Sequence, residues 1–424
     1  MTPRRTVRGL LALLVLGAGV AAAALRVGLL ERAGDVRLSA DWALTDFYSA
    51  AYGPVRAVLA GGTPYTADST YPPYAPTHLL LHLPFALLDR EPAGIAYFGA
   101  TVLLTCLLAW LALRLNRARP DLARVLLVAG AVLLSRPGHW TLLLGQVSVL
   151  LSCATYLALG AAGSRTWPAA AAVAVTLLKP TFGLPLALLL WAWGRGRTVA
   201  IGVALAALVN LPLVALLAAR EGGVGELFRA AVGGYRSWQD IGDVNPATSS
   251  TRTDVTSLVS RLVGAPLPDA WQVLLAVAIL GIAALAVHRL RHRTDPAAEA
   301  IATGIVCLAI SLVGFHRSYD LVLLTAPALA LTGWRTAAAL PISPPVRLAL
   351  LALYAVPALN WIATESVLEA WRPARPAWLL VTSANTVCLL ALLLAYVRLA
   401  FRTPPAAQAG VGQPRPAAAL ENRA

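Results

Sequence analysis

Between Leu44 and Leu80 the chain reads LTDFYSAAYGPVRAVLAGGTPYTADSTYPPYAPTHLL, a polar interruption in a sequence that is otherwise mostly hydrocarbon. It sets Asp46, Arg56, Asp68 and His78 among Tyr48, Tyr52, Tyr65, Tyr71 and Tyr74. Carboxylate, imidazole and aromatic rings together suit a site that handles a sugar or another polar headgroup beside lipid. Asp46 has two readings. Just before a helix it can cap that helix and favour its positive end. Alternatively it accepts a proton from an attacking hydroxyl, the role a carboxylate fills when a sugar is moved with inversion at its anomeric carbon.

Three later polar groups carry comparable weight. Lys179, the only lysine, lies deep in the apolar run TLLKPTFGLPL. About a dozen residues separate it from either end of that run, roughly 18 Å at 1.5 Å per residue, which is long for a snorkelling stem. A charge at that depth faces a partner or a cavity, here one that holds a lipid phosphate. The group Phe315-His316-Arg317-Ser318-Tyr319-Asp320 separates two apolar runs. It reads either as a loop in which Arg317 and Asp320 pair at i, i+3, or as a tight turn whose His, Arg and Tyr donate hydrogen bonds to a phosphate. His139 and Gln146 punctuate SRPGHWTLLLGQVS, where the simplest role for Gln146 is a hydrogen bond to a neighbouring helix. His78 and His82 stand at i, i+4, a spacing that suits a metal on one helix face, but no third or fourth ligand follows at a usable spacing.

The elements that must position these groups are membrane helices. The chain has 424 residues, 58% of them apolar and 13% charged, with mean hydropathy +0.70. A soluble domain carries about 25% charge, so most of this surface faces lipid. The formal charge of +14 comes in short clusters between apolar runs rather than as a stripe with interleaved aromatics, which excludes a nucleic-acid partner and marks the sides of loops. Cys106, Cys153, Cys307 and Cys388 all lie inside apolar runs without CxxC spacing and read as small core hydrophobes. The amino-terminal run after Arg4, Arg5 and Arg8 reads as an uncleaved first helix starting in the cytoplasm.

Windows of about 20 apolar residues place spans at 8–27, 94–114, 141–161, 168–193, 198–219, 270–288, 298–314, 345–362 and 377–399, with shorter ones at 76–89, 123–136 and 319–333. The expected fold is an all-α polytopic membrane protein of about 12 transmembrane helices, multi-pass in the cell membrane, with residues 1–402 forming one domain. The positive-inside rule then puts Arg195, Arg197 and the basic run from His288 to Arg293 in the cytoplasm; Arg114–Arg124 is the exception. Two long loops, 28–75 and 220–269, face outward on the same side as His316. In the first, Phe47, Ala50 or Ala51, Val55 and Val58 or Leu59 recur at helical spacing, so 46–60 is expected as an amphipathic helix ended by Gly61-Gly62. The second is long enough to fold over the first as a lid. The Pro- and Ala-rich tail 403–424 is expected to be disordered and cytoplasmic.

The order of TDFYSAAYGPVRAVLAGGTPY, YPPYAPTHLLLHLPFALL, GQVSVLL, LLKPTFGLPL and FHRSYD resembles glycosyltransferase family 87 over most of residues 40 to 335. Tyr71-Pro72-Pro73-Tyr74 stands where the family often has Tyr-Pro-Pro-Leu. The resemblance implies the type C membrane glycosyltransferase fold and transfer of mannose from a polyprenyl-phosphate donor to a hydroxyl of a cell-envelope glycolipid or glycan, on the extracytoplasmic face, with an alpha-1,2 linkage. It implies Asp46 as the catalytic base and His316, Arg317 and Lys179 on the donor phosphate. The substrate-binding residues expected beside them are Tyr48, Tyr52, Tyr71, Tyr74, His78, Gln146 and Tyr319. No cofactor or metal is required, although a divalent metal is not excluded. A sibling enzyme that uses polyprenyl-phosphate arabinose is one alternative. A flippase for lipid-linked sugars is the other, although the paired repeats common in transporters are not visible.

Overall fold

A computed structural model describes residues 9–22, 44–65, 71, 74–161, 165–239, 244–332, 340–363 and 374–402. The tail 403–424 and the first loop before residue 44 lie outside the described residues, as do Asp68, Pro72 and Pro73. Among the described residues the chain is all helical, and the only β pairing is one antiparallel bridge between Arg252 and Arg317.

Four helices are long and apolar enough to cross a membrane: Arg90–Leu115, Gly196–Glu221, Asp269–Leu290 and Arg375–Arg402. They coincide with four of the spans read from hydropathy. A fifth crossing arises if Leu122–Leu134 and Arg136–Leu144, bent by 76°, count as one. The remaining expected crossings fall on helices of 10–17 residues, such as Ser148–Ala161, Pro180–Ala192 and Pro296–Leu312. Length and composition alone therefore support several crossings without reaching twelve.

Pro296–Leu312 is the central helix, its side chains from Ala300 to Leu312 nearly all sealed from solvent. Arg375–Arg402 packs so closely on it that a Cβ on Gly304 would come within 2.2 Å of the Tyr396 ring. Such contact between apolar helices depends on a small residue at the crossing, as is usual where lipid removes the hydrophobic drive.

The apolar runs are less continuous than their hydropathy. The run 123–161 breaks twice. Ser135 ends one helix and caps the next, its Oγ accepting from the backbone N–H of Gly138, with Pro137 in the first turn. Gly145, at φ +71°, ends the second and leaves Gln146 between helices. The run 168–193 breaks at Leu177–Lys179, since Pro180 opens a new helix and Lys179 stands in extended conformation at its N-cap. Pro296–Leu312 stops at Val313, and Gly314, at φ +72°, turns the chain into Phe315–Arg317. Irregular backbone at membrane depth is tolerated where protein or a wet cavity receives its polar groups. The breaks at Gly145, Lys179 and Gly314 border one cavity.

The expected helix in the first loop is present, running from Thr45–Phe47 through a π-helical turn at Tyr48–Tyr52 to Gly53–Leu59. Phe47, Ala51 and Val55 are buried at the four-residue spacing of one face. Gly61, at φ +90°, and Gly62 follow its end. Leu44 N–H donates to Leu143 O at 2.7 Å, which pins the start of this helix against the helix before Gly145.

Candidate functional site

A cavity of about 860 Å³ opens among the helix breaks. Its wall takes Thr45 and Asp46 from the first-loop helix, Gly145 and Gln146 from the second break, Lys179 to Thr181 from the third, and Phe315, Arg317 and Tyr319 beyond Gly314. Tyr74 contributes from the end of the first loop, His78 and His82 from the helix Thr77–Ala86 that follows it, and Val244 to Pro246, Arg252 and Thr256 from the second loop. Both long loops thus reach one chamber.

Asp46 sits inside the first helical turn, not before it. The N-cap position belongs to Leu44, which adopts a left-handed conformation with φ 57°, and no side chain caps the helix. Asp46 is therefore no cap, although as an acid in the first turn it still sits at the helix's positive end. The Asp46 carboxylate instead accepts from Gln146 Nε2 through Oδ2. Gln146 therefore does bond to a neighbouring helix, and its partner is the candidate base. Leu44 is one of two non-glycine residues with positive φ among the described residues, and such strain beside a reactive group is common at functional sites.

Lys179 is buried and pairs with Asp320, its Nζ lying 2.9 Å from each carboxylate oxygen. Its ammonium stands 5.2 Å from the Phe182 ring centre and 5.6 Å from that of Tyr319. Asp320 itself is fully enclosed and also receives Ser148 Oγ at 2.6 Å and His316 Nδ1 at 3.0 Å. The expected i, i+3 partner, Arg317, reaches this carboxylate only through its backbone N–H at 3.3 Å.

The second loop supplies a cation that the sequence reading passed over. Arg252 places Nε 2.8 Å and Nη2 3.0 Å from the two oxygens of Asp254, a bidentate pair with almost no exposure on either side. Its guanidinium lies 4.9 Å from the centre of the Phe315 ring, and that of Arg317 lies 5.8 Å from the same ring. Thr253 N–H donates to His316 O and Ser318 N–H to Thr251 O, both at 2.9 Å, so the two segments run antiparallel for a few residues. The Ser/Thr-rich stretch was the available signal, since an Arg two residues before an Asp inside it is a ready ion pair.

Several expected site residues stand elsewhere. Tyr48 and Tyr52 do not line the cavity; their hydroxyls donate to Arg90 O and Leu88 O, each at 3.0 Å, and brace the helix against the turn before Arg90–Leu115. Tyr71 is buried edge-on between Tyr65 and His78, also off the wall. His316 is fully enclosed behind the wall, its Nδ1 against Asp320 and its Nε2 3.3 Å from Thr181 O. Asp46, Tyr74, His78, Gln146, Lys179, Arg317 and Tyr319 do line the cavity. Burial, augmented by the charges of Asp320 and Asp46, pushes the Tyr74 phenol well above its ordinary range, so it remains a donor throughout the physiological pH range.

His78 and His82 lie against each other with their rings tilted by 47° and their centres 4.3 Å apart, and His82 Nδ1 donates to His78 O at 2.9 Å. With Tyr74, whose ring centre lies 4.4 Å from that of His78, they form an aromatic side to the chamber. Among the described residues no three His, Cys, Asp or Glu side chains come together as a metal site. The four cysteines are free thiols.

A carboxylate, three cations and aromatic rings border one hollow of about 860 Å³, groups suited to accepting a proton and stabilising developing negative charge. The family model for glycosyltransferase family 87 matches residues 70–314, more than half of the chain. Tyr74, Gln146, Lys179 and Arg252 fall inside that range, while Asp46 precedes it and Arg317 follows it. No curated protein and no solved structure matches.

Proposed function

The chain belongs to glycosyltransferase family 87, and on that premise we propose that it moves a mannosyl residue from a polyprenyl monophosphate to a hydroxyl of a cell-envelope glycolipid or glycan, with inversion, in an alpha-1,2 linkage and on the extracytoplasmic face. One observation carries the reading: the Asp46 carboxylate and the cations Lys179, Arg252 and Arg317, from distant parts of the chain, border a single hollow.

In this mechanism the acceptor hydroxyl lies against Asp46. As its oxygen attacks the anomeric carbon, its proton passes to the carboxylate. The bond from that carbon to the phosphate oxygen breaks, and its electron pair leaves with the phosphate. The donor is a phosphodiester with one negative charge and the product a monoester that gains a second. Cations fixed across the chamber therefore bind the transition state better than the ground state, which is what lowers a barrier. Gln146 orients the base. Tyr74, His78 and Tyr319 cover the sugars, and His316 acts from behind the wall through Asp320. Sugars stack on aromatic faces while their hydroxyls take hydrogen bonds, and the Tyr74–His78–His82 side offers both.

The test is transfer by purified protein from a synthetic polyprenyl-phosphate mannose. Asp46→Asn should abolish product formation, a loss of about 100-fold to 10,000-fold for a general base, while expression and melting temperature stay unchanged. An active Asp46→Asn rejects the base. Lipid-linked sugar moved across vesicles by wild-type protein without any transfer would instead favour a flippase.

A further inference from the structure

Asp320 collects hydrogen bonds from four groups in three parts of the chain: Lys179 at the head of one helix, Ser148 at the head of another, and, in its own turn, the ring of His316 and the backbone N–H of Arg317. It has no exposure and is absent from the cavity wall, so it does not touch a substrate lying in the chamber. A carboxylate this deep persists only when its partners repay the lost hydration. Here the repayment also has a direction. An ammonium has three N–H donors. Two of those on Lys179 are taken by the two oxygens of Asp320, each 2.9 Å away, so the ammonium is held at two points and its third N–H is directed by them. Lys179 itself lines the cavity.

Building on the transfer reaction above, we propose that Asp320 is a positioning residue that aims the remaining Lys179 N–H at the phosphate leaving the donor. The same carboxylate fixes the backbone of Arg317, so both cations on this wall take their place from one buried charge. Ser148 Oγ, 2.6 Å from Oδ1, stops the carboxylate from rotating out of that arrangement. The contribution belongs to the step in which the phosphate acquires its second charge and therefore shows in kcat more than in KM.

The experiment compares full-length wild type, Asp320→Asn, Lys179→Gln and the double variant in detergent, with synthetic polyprenyl-phosphate mannose as the donor and melting temperature as the folding check. Asp320→Asn is expected to lower kcat by at least about tenfold with the donor KM within about twofold of wild type, the signature of an interaction made in the transition state. The double variant is expected to be no slower than Lys179→Gln, because residues acting through one another do not add. Folded Asp320→Asn with wild-type kcat, or losses that multiply in the double variant, overturns the proposal. If Asp320→Asn does not fold, Ser148→Ala decides. A several-fold drop in kcat at constant donor KM supports the role, and an unchanged kcat overturns it. A wild type that transfers nothing from this donor refutes the proposed reaction itself, whereas an active wild type with multiplying losses refutes only the part given to Asp320.

Discussion

A Cβ added to Gly145 would stand 2.6 Å from the Cβ of Phe47, so the helix that carries Asp46 rests on the break that carries Gln146 only because residue 145 has no side chain. Gly145 also has φ +71°, a conformation that costs an L residue about 1–2 kcal/mol. Gly145→Ala is accordingly expected to lower thermal stability. It should also cut transfer by about 100-fold, the usual penalty for a reacting group displaced by about 1 Å. Melting temperature and initial rate on the same preparation check both.

Gln146 is the donor that holds the Asp46 carboxylate. Gln146→Leu should lower kcat by roughly tenfold, about the worth of one hydrogen bond to a charged group. Gln146→Glu makes the opposite electrostatic test. A second carboxylate disfavours ionisation of the first, so the acid limb of the kcat/KM profile should move to higher pH. An unmoved limb would mean that the two side chains do not interact in the working enzyme.

Arg252 shares its charge with Asp254 in a dry, bidentate pair. Removing one partner of such a pair typically costs about 3–5 kcal/mol because the other is left alone in the interior. Arg252→Gln should therefore lower the melting temperature and also raise the donor KM. Arg252→Lys should recover less than half of the loss, since an ammonium cannot reproduce the fork of a guanidinium. Full recovery by lysine would make Arg252 a simple point charge.

Tyr48 and Tyr52 give a contrasting expectation. Their hydroxyls bond to backbone carbonyls away from the chamber. Tyr48→Phe and Tyr52→Phe should each cost about 1 kcal/mol of stability and leave kcat and both KM values within twofold. Tyr74→Phe, on the wall, should raise the acceptor KM. Equal effects from all three would return Tyr48 and Tyr52 to the substrate.

Periodicity and hydropathy were enough to place the first-loop helix, its glycine stop and the four long apolar helices, because each depends on residues close in sequence. The breaks were less legible. A window of twenty residues averages over Ser135, Gly145 and Lys179, while the chain at those points answers to local Pro and Gly geometry and to partners far away. The same limit explains the individual residues. Tyr48 and Tyr52 follow Phe47 and Ala51 directly and so fall on an adjoining face, and a helix with aromatic or small residues on several faces does not announce which one borders the hollow. In FHRSYD the chain alternates, so Arg317 and Tyr319 reach the wall while His316 and Asp320 lie behind it. Lys179 was legible as a charge that must find a partner, because an isolated charge in an apolar run needs one, but nothing in the spacing names Asp320. Arg252 depends on an antiparallel match between segments more than sixty residues apart.

That match is made chiefly by main-chain groups, Thr253 N–H to His316 O and Ser318 N–H to Thr251 O, with the Thr253 hydroxyl adding a longer bond of 3.4 Å to His316 O. Amides and carbonyls are the same whatever side chain they carry. The strap that draws the second loop onto the turn after Gly314 is therefore indifferent to most exchanges at the positions it joins. Side chains that the strap joins only through their main chain, such as those of Thr251 and Ser318, can change while the second loop stays seated on the turn after Gly314.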